Sequence, residues 1–445
     1  MLTKFQLIQK AKEVLKNPTI INILIVGATT LFVKGLGFAK EIVIADNFGL
    51  SELVDTFYIA ILIPTFVNNV FLGGYQSVFI PNYVHELKSG NNIGAFQSTS
   101  FIVTLGSALL FCLISILVTD VYLEFFFDGH TPKYYELVKL QFYYILPSMV
   151  FWGLSSLLSG ILNIDDEFTY STLSHIFTPI SIIACLVFFK EELGVIVLAF
   201  GTLVGAILSF LFLLILSFKR KLIQIAKPNF LSNNTIEMLR QIPAKLSSNI
   251  LSGMNQIVDQ YFAAKLVVGS IAALNYGVKI PMFSIGIITM ALGNVLLPYF
   301  SKKAAENRKK SFIQLQKILK VIIIGSSIMA LVLILLSTPI ISIIFEHNAF
   351  TANDTKIVSR IQQMYLIQVP AYIIAIILVR FLESINKNKF MAYVSLICLV
   401  LNIALNYALI EKYGVYGLAL ATSVVAIINS IILYMYVNHL KKKEF

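Results

Sequence analysis

Apolar runs of about 20 residues recur along the whole chain, separated by short polar stretches, without the strict alternation that marks half-buried strands. About twelve of them are long enough to cross the ~30 Å hydrocarbon core of a bilayer as helices. They lie near 18–45, 53–80, 97–119, 136–162, 168–189, 193–218, 236–264, 270–298, 313–345, 356–385, 389–410 and 413–438. The pattern predicts an all-α integral membrane protein.

The runs divide into two sets that resemble each other. Pro64 and Pro81 bracket the second run, and Pro281 and Pro298 bracket the eighth at the same separation. Pro147 and Asn163 in the fourth match Pro370 and Asn386 in the tenth, again equally spaced. With an even number of spans per set, both sets insert in the same direction, so the expectation is two six-helix lobes in a parallel internal repeat about an axis along the membrane normal. The lobes are placed at 18–218 and 236–438, with a cytoplasmic amphipathic segment at 1–17, a basic linker at 219–235 and a basic tail at 439–445. Two bundles facing each other enclose a cavity that can open to either side in turn. Prolines within spans release backbone carbonyls and permit the bending such gating needs. This is the architecture of a transporter, expected as a monomer.

Composition and charge narrow the reading. A chain that is 58% hydrophobic and 13% charged has too little polar surface to be soluble at this length. Its net charge of +11 sits mainly in loops that alternate with acidic ones such as Glu191-Glu192 and Glu346. That asymmetry places both termini in the cytoplasm and points to membrane topology and anionic headgroups, not nucleic acid. Cys112, Cys185 and Cys398 lie far apart within apolar runs, and the histidines have no ligand spacing. The longest outer loop, near 120–135, is too short for a catalytic domain, and no phosphate-binding glycine loop is present. The chain reads as a transporter, not an enzyme, drawing on membrane potential or an ion gradient.

Charge inside the spans is costly, at least ~2.5–3.5 kcal/mol per residue, and therefore marks function by default. Lys34, Lys40 and Glu41 fall in or at the edge of the first span, Asp55 in the second, Lys279 in the eighth and Arg380 in the tenth. Each also has a plainer role: Lys34 can snorkel to an interface, Lys40 and Glu41 can pair there, and Arg380 can pair with Glu383. In the seventh span lies Asp259. Asn402 and Asn406, spaced i, i+4, share one face of the eleventh span, and Thr422 lies in the twelfth. Interhelical hydrogen bonding, with Asp259 meeting Lys265, is the simple account of that set; a proton-coupled carboxylate is another.

The segment Lys34-Gly-Leu-Gly-Phe-Ala-Lys-Glu41, followed by Phe48-Gly49, Asp55-Thr-Phe-Tyr58, Ile63-Pro64 and Phe79-Ile-Pro81, resembles the opening of the MurJ (MviN) lipid II flippases. These belong to the multidrug/oligosaccharidyl-lipid/polysaccharide exporter superfamily. Leu297-Pro298 with Ser301-Lys302 is similar to the same family. The resemblance implies a flippase of a bacterial inner membrane that moves an undecaprenyl-diphosphate-linked saccharide from the inner to the outer leaflet. It further implies that Lys34, Lys40 and Lys279 stand where the family has diphosphate-binding arginines, keeping the charge but losing the bidentate fork. Glu41 stands where Asp is common, and Asp55 is retained.

Two departures qualify the match. Asn68-Asn69 replaces an arginine pair on the second helix, and the family commonly has fourteen helices where about twelve are counted here. A capsule or O-antigen-type repeat-unit flippase therefore stays an alternative, as does a small-molecule antiporter of the superfamily. Asp259, Asn402, Asn406 and Thr422 resemble the Na⁺ site of some family members, with Asn406 at a position that can be Asp. The expected partners are the lipid-linked saccharide and the bilayer, with Na⁺ as a coupling ion and no other cofactor.

Overall fold

The computed structural model describes residues 18–89, 92–127, 129–385 and 387–444. The predicted amphipathic segment 1–17 and Asn386 of the repeat lie outside the described residues. Among the described residues every regular element is a helix. The first half comprises α1 (Pro18–Phe48), α2 (Glu52–Val67), α3 (Gly73–Ser89), α4 (Ile93–Phe126), α5 (Pro132–Ile145), α6 (Ser148–Ile164), α7 (Phe168–Leu173), α8 (Phe177–Phe188), α9 (Lys190–Leu193) and α10 (Val197–Lys219). The second comprises α11 (Asn233–Ala264), α12 (Ser270–Gly277), α13 (Lys279–Glu306), α14 (Arg308–Leu335), α15 (Ser337–Phe345), α16 (Ala352–Ile367), α17 (Val369–Ser384), α18 (Asn388–Tyr413) and α19 (Val415–Glu444).

Ten helical stretches among the described residues are long and apolar enough to cross a membrane. The sequence count of about twelve also includes α1 and α11. These run for 31 and 32 residues, ample length for a bilayer; polar side chains dilute α11, whereas α1 is on average as apolar as α18 and α19. The charged side chains of α1 are Lys34, Lys40, Glu41 and Asp46; the polar ones of α11 include Asn255, Gln256, Asp259 and Gln260.

Several predicted spans are built of two helices. Pro64 lies inside α2, where its ring removes one ladder hydrogen bond. One turn later, Asn68–Leu72 forms a π turn that joins α2 to α3. Pro147 separates α5 from α6, and Pro370 stands in the first turn of α17.

Packing in the first half rests on close backbone approach. Gly201 and Gly205, one turn apart on α10, face α8. A Cβ on Gly201 would stand 2.8 Å from Ile182 Cα, and one on Gly205 would collide with Thr178 Cα. Small residues at this spacing let two membrane helices touch without intervening side chains, where lipid supplies no hydrophobic drive.

Contacts within 18–219 and within 233–444 dominate: α8 on α10, α6 on α10 and α2 on α5 in one set, α13 on α17 and α18 on α19 in the other. The sets meet where α11 packs on α3, α12 on α2, and α13 and α15 on α1. One apolar cluster crosses the junction, bringing Ile44 and Phe57 together with Tyr276, Phe345 and Phe350.

The junction is pinned at both ends. Beside the α1–α2 turn, Asp55 is buried, and its two oxygens accept the amides of Gly269 (2.6 Å) and Ala272 (2.7 Å) at the start of α12. Gly269 has φ +94°, a left-handed conformation, and Leu50 O lies 2.7 Å from where a Cβ would be. Nearby, Asn348 Nδ2 donates to Asp46 Oδ1 and the Ala349 amide to Asp46 O. At the other end of α2–α3, Asn234 Nδ2 donates to Glu86 Oε2 at 2.7 Å and Asn82 Nδ2 to Gln241 Oε1 at 3.2 Å.

Asp55→Ala is expected to leave two buried amides without acceptors, a loss of about 2–5 kcal/mol. A thermal melt in detergent should show a clearly lower midpoint, with Asp55→Asn falling in between. Gly205→Leu is expected to separate α8 from α10 and yield aggregated protein on size exclusion, while Gly205→Ala is milder.

Candidate functional site

The charged residues of the first span are drawn together by one carboxylate. Glu41, on α1 and 4% exposed, receives Lys279 Nζ at 2.8 Å, Lys40 Nζ at 2.9 Å and the Tyr58 hydroxyl at 2.7 Å. Lys279 opens α13, so this ion pair joins the two halves of the chain. Loss of either lysine leaves Glu41 with the other, whereas loss of Glu41 leaves both lysines without their acceptor.

Two turns back along α1, Lys34 is exposed, and among the described residues it has no ion-pair partner. Its Nζ lies 3.4 Å from the point a Cβ on Gly286 would occupy. Between these levels the rings of Phe38 and Phe283 are 6.1 Å apart. Ascending numbers on α1 thus meet descending numbers on α13, so the helices run antiparallel with three matched levels. Gly286, which sequence reasoning did not single out, is what leaves room for Lys34.

The other predicted substrate residues lie elsewhere. Asp55 is committed to the α12 amides, and among the described residues it forms no ion pair with the lysines. Asn68 belongs to the π turn and, with Asn69, lines a separate cavity inside the first half. Arg380 Nη1 pairs with Glu383 Oε2 at 2.8 Å, the plainer of its two expected roles.

The predicted cation residues do converge. Asn406 Nδ2 donates to Asp259 Oδ1 at 2.9 Å and to Asn402 Oδ1 at 3.3 Å, and Thr422 Oγ1 lies 3.4 Å from Asp259 Oδ2. Helices α11, α18 and α19 each contribute, and Asp259, Asn402 and Thr422 line a chamber of about 680 Å³. Lys265 lies with its Nζ 4.6 Å over the Tyr261 ring.

The donor set fits a hard monovalent cation. Asp259 supplies the carboxylate, Asn402 and Thr422 neutral oxygens, and Asn406 Oδ1 is buried without a hydrogen-bond partner. Among the described residues no group of three or more His, Cys, Asp or Glu could hold a metal, so a multi-carboxylate centre is not what these residues build. Sequence reasoning gave no role to the chamber's further amides: Asn255 does stand one turn before Asp259 on the same face, but nothing in the spacing of Gln260 or Gln368 sets them apart.

The family model described as "Lipid II flippase MurJ" matches residues 44–444. A probable lipid II flippase MurJ from Buchnera aphidicola subsp. Schizaphis graminum is 28% identical over 418 residues, covering 92% of this chain and 81% of the relative. The lipid II flippase MurJ of Thermosipho africanus is 28% identical over 420 residues, covering 94% and 85%. Among solved structures, a lipid II flippase MurJ in an inward closed conformation superposes with a TM-score of 0.81 at 28% identity, over 93% of this chain and 87% of that one. An inward-facing multidrug resistance MATE transporter shares the fold, with a TM-score of 0.77 at 12% identity over 95% and 98%. Helix content, buried charge and these alignments agree: the chain belongs to the MurJ family of lipid II flippases.

Proposed function

We propose that this chain flips an undecaprenyl-diphosphate-linked saccharide, lipid II in the first instance, across a bacterial inner membrane by alternating access. The observation that carries this reading is the Glu41–Lys279 pair, which closes the seam between the two halves with cations that a diphosphate can claim. In this reading 18–218 and 236–438 act as two lobes, a division supported by helices that pack mainly within each set. Both termini face the cytoplasm and the protein works as a monomer.

Each residue of the seam has a defined part. Lys34 offers the first contact, since no carboxylate holds it. A diphosphate reaching Lys40 and Lys279 competes with Glu41 for the same ammonium groups, and it replaces one anion by another, so no bare charge is left in the membrane. Glu41 takes the lysines back when the lipid departs and restores the closed seam. Phe38 and Phe283 form a hydrophobic level between the cationic ones and exclude water.

Na⁺, held by Asp259, Asn402, Asn406 and Thr422, would cancel the charge of Asp259 and tie α11 to α18 and α19. Helix α11 also packs on α3 of the other half, so what stabilises its position bears on the junction. An alternative substrate, a capsule or O-antigen-type lipid-linked repeat unit, is favoured by the uncharged Asn68-Asn69 pair.

Native mass spectrometry against lipid II and other undecaprenyl-diphosphate glycans tests the substrate. Lys34→Ala and Lys279→Ala should each weaken lipid II binding roughly 10- to 100-fold, the worth of one charge-assisted contact, with substantial recovery in Lys34→Arg. Unaltered binding in both variants would remove the seam from the binding site, and a stronger preference for another glycan would reassign the substrate. For the cation, thermal stability of the wild type should rise with Na⁺ at constant ionic strength, and Asp259→Ala should abolish the rise. Equal stabilisation by K⁺ or choline would refute a specific Na⁺ site.

A further inference from the structure

The first half contains a cavity of about 330 Å³ set apart from both the lysine seam and the Asp259 chamber. Its wall is mainly amides and hydroxyls, with Leu213 and the Trp152 indole as its large apolar side chains. The π turn contributes Asn68 and Asn69, α3 contributes Gln76, and α6 contributes Trp152, Ser155 and Ser156. His175 and Thr178 close it from the α7–α8 side. Among the described residues no Asp, Glu, Lys or Arg lines it.

These groups are poised and unsatisfied. Among the described residues the side chains of Asn68, Asn69, Gln76 and Ser156 make no hydrogen bond, and Ser155 Oγ, nine-tenths buried, has no partner. Polar groups at membrane depth cost free energy unless something bonds them. A cluster of this kind, around a π turn, is the arrangement of a binding site more than of a packed core. What it would bind follows from what the wall lacks. A phosphate needs cations, and a cationic drug needs a carboxylate or an aromatic cage. Amides and hydroxyls beside one indole suit an uncharged ring that carries hydroxyl or acetamido groups on its edges and C–H groups on its faces. The volume is at the lower end of the ~300–1,000 Å³ range of ligand pockets, the size of one such ring.

We infer that this cavity is a subsite for a neutral sugar ring of the lipid-linked saccharide, recognised by Asn68, Asn69, Gln76 and Ser155 with Trp152 against the ring face. The inference rests on the flippase reading and assigns the glycan and the diphosphate to separate sites. Selectivity among lipid-linked glycans then belongs to this cavity, and the charge-based grip on any diphosphate lipid belongs to the lysine seam.

Trp152 is the chain's single tryptophan, so its fluorescence reports this cavity alone. The full-length protein in nanodiscs is titrated with lipid II and with undecaprenyl diphosphate, while native mass spectrometry records binding of each. The expected result is that both lipids bind but only lipid II changes the emission. Ser155→Ala and Asn69→Leu, the second a more exposed position that folding tolerates, should weaken lipid II binding roughly tenfold and leave undecaprenyl diphosphate unaffected. Equal emission changes with the two lipids, or lipid II binding without any change, would overturn the subsite and leave the flippase reading standing. Failure of both lipids to bind would overturn the flippase reading and the subsite with it.

Discussion

A carboxylate buried in a membrane must be compensated or protonated, and Glu41 is compensated twice over. Much of the structure around it can be understood from that constraint. Helix α13 begins at Lys279 and is held against α1 there; the antiparallel register then sets Phe283 beside Phe38 and Gly286 beside Lys34. A pair that would be a liability in a static core becomes useful in a protein that must open, because a competing anion can dissolve it. The contact is strong while intact and exchangeable when a ligand of like charge arrives.

A second junction at the same end has a different chemistry. Asp55 binds backbone amides, which have no exchange partner among phosphates, and it lies beside a left-handed glycine that only fits its neighbour for want of a side chain. The junction therefore combines an ion-paired seam, which the proposed diphosphate would contest, with a clamp that it would not. In the proposed function the lysines answer to substrate, whereas Asp55 holds the start of α12. Both residues looked alike as intramembrane charge, and they have separate duties.

Much of this was legible in the sequence, for reasons that differ from residue to residue. Apolar run length reveals spans directly, and the i, i+4 asparagines of α18 announce a polar face, so the Asp259 set assembles as its residue types suggest. Helix α11 was less legible as a span, since its polar residues offset its length. Asp55 could not be placed, because its partners are 214 and 217 residues away and are amides that every residue possesses. Arg380 carried two readings until Glu383, one turn on, was seen to hold it. Gly286 and the Trp152 cavity were invisible for a related cause: a glycine that makes room and serines that face one another signal nothing until their neighbours are known.

The π turn at Asn68–Leu72 adds one residue to a single turn of an otherwise α-helical span. Relaxing it to regular α-helix would rotate everything beyond it by about 100° and advance it by ~1.5 Å. Helix α3 would then carry Asn82 and Glu86 off the face of α11 that they grip, while α8 and α10, locked backbone to backbone, could not follow. The span thus holds one residue of slack beside the tightly locked α8–α10 pair, at the very turn that supplies Asn68 and Asn69 to the wall of the cavity.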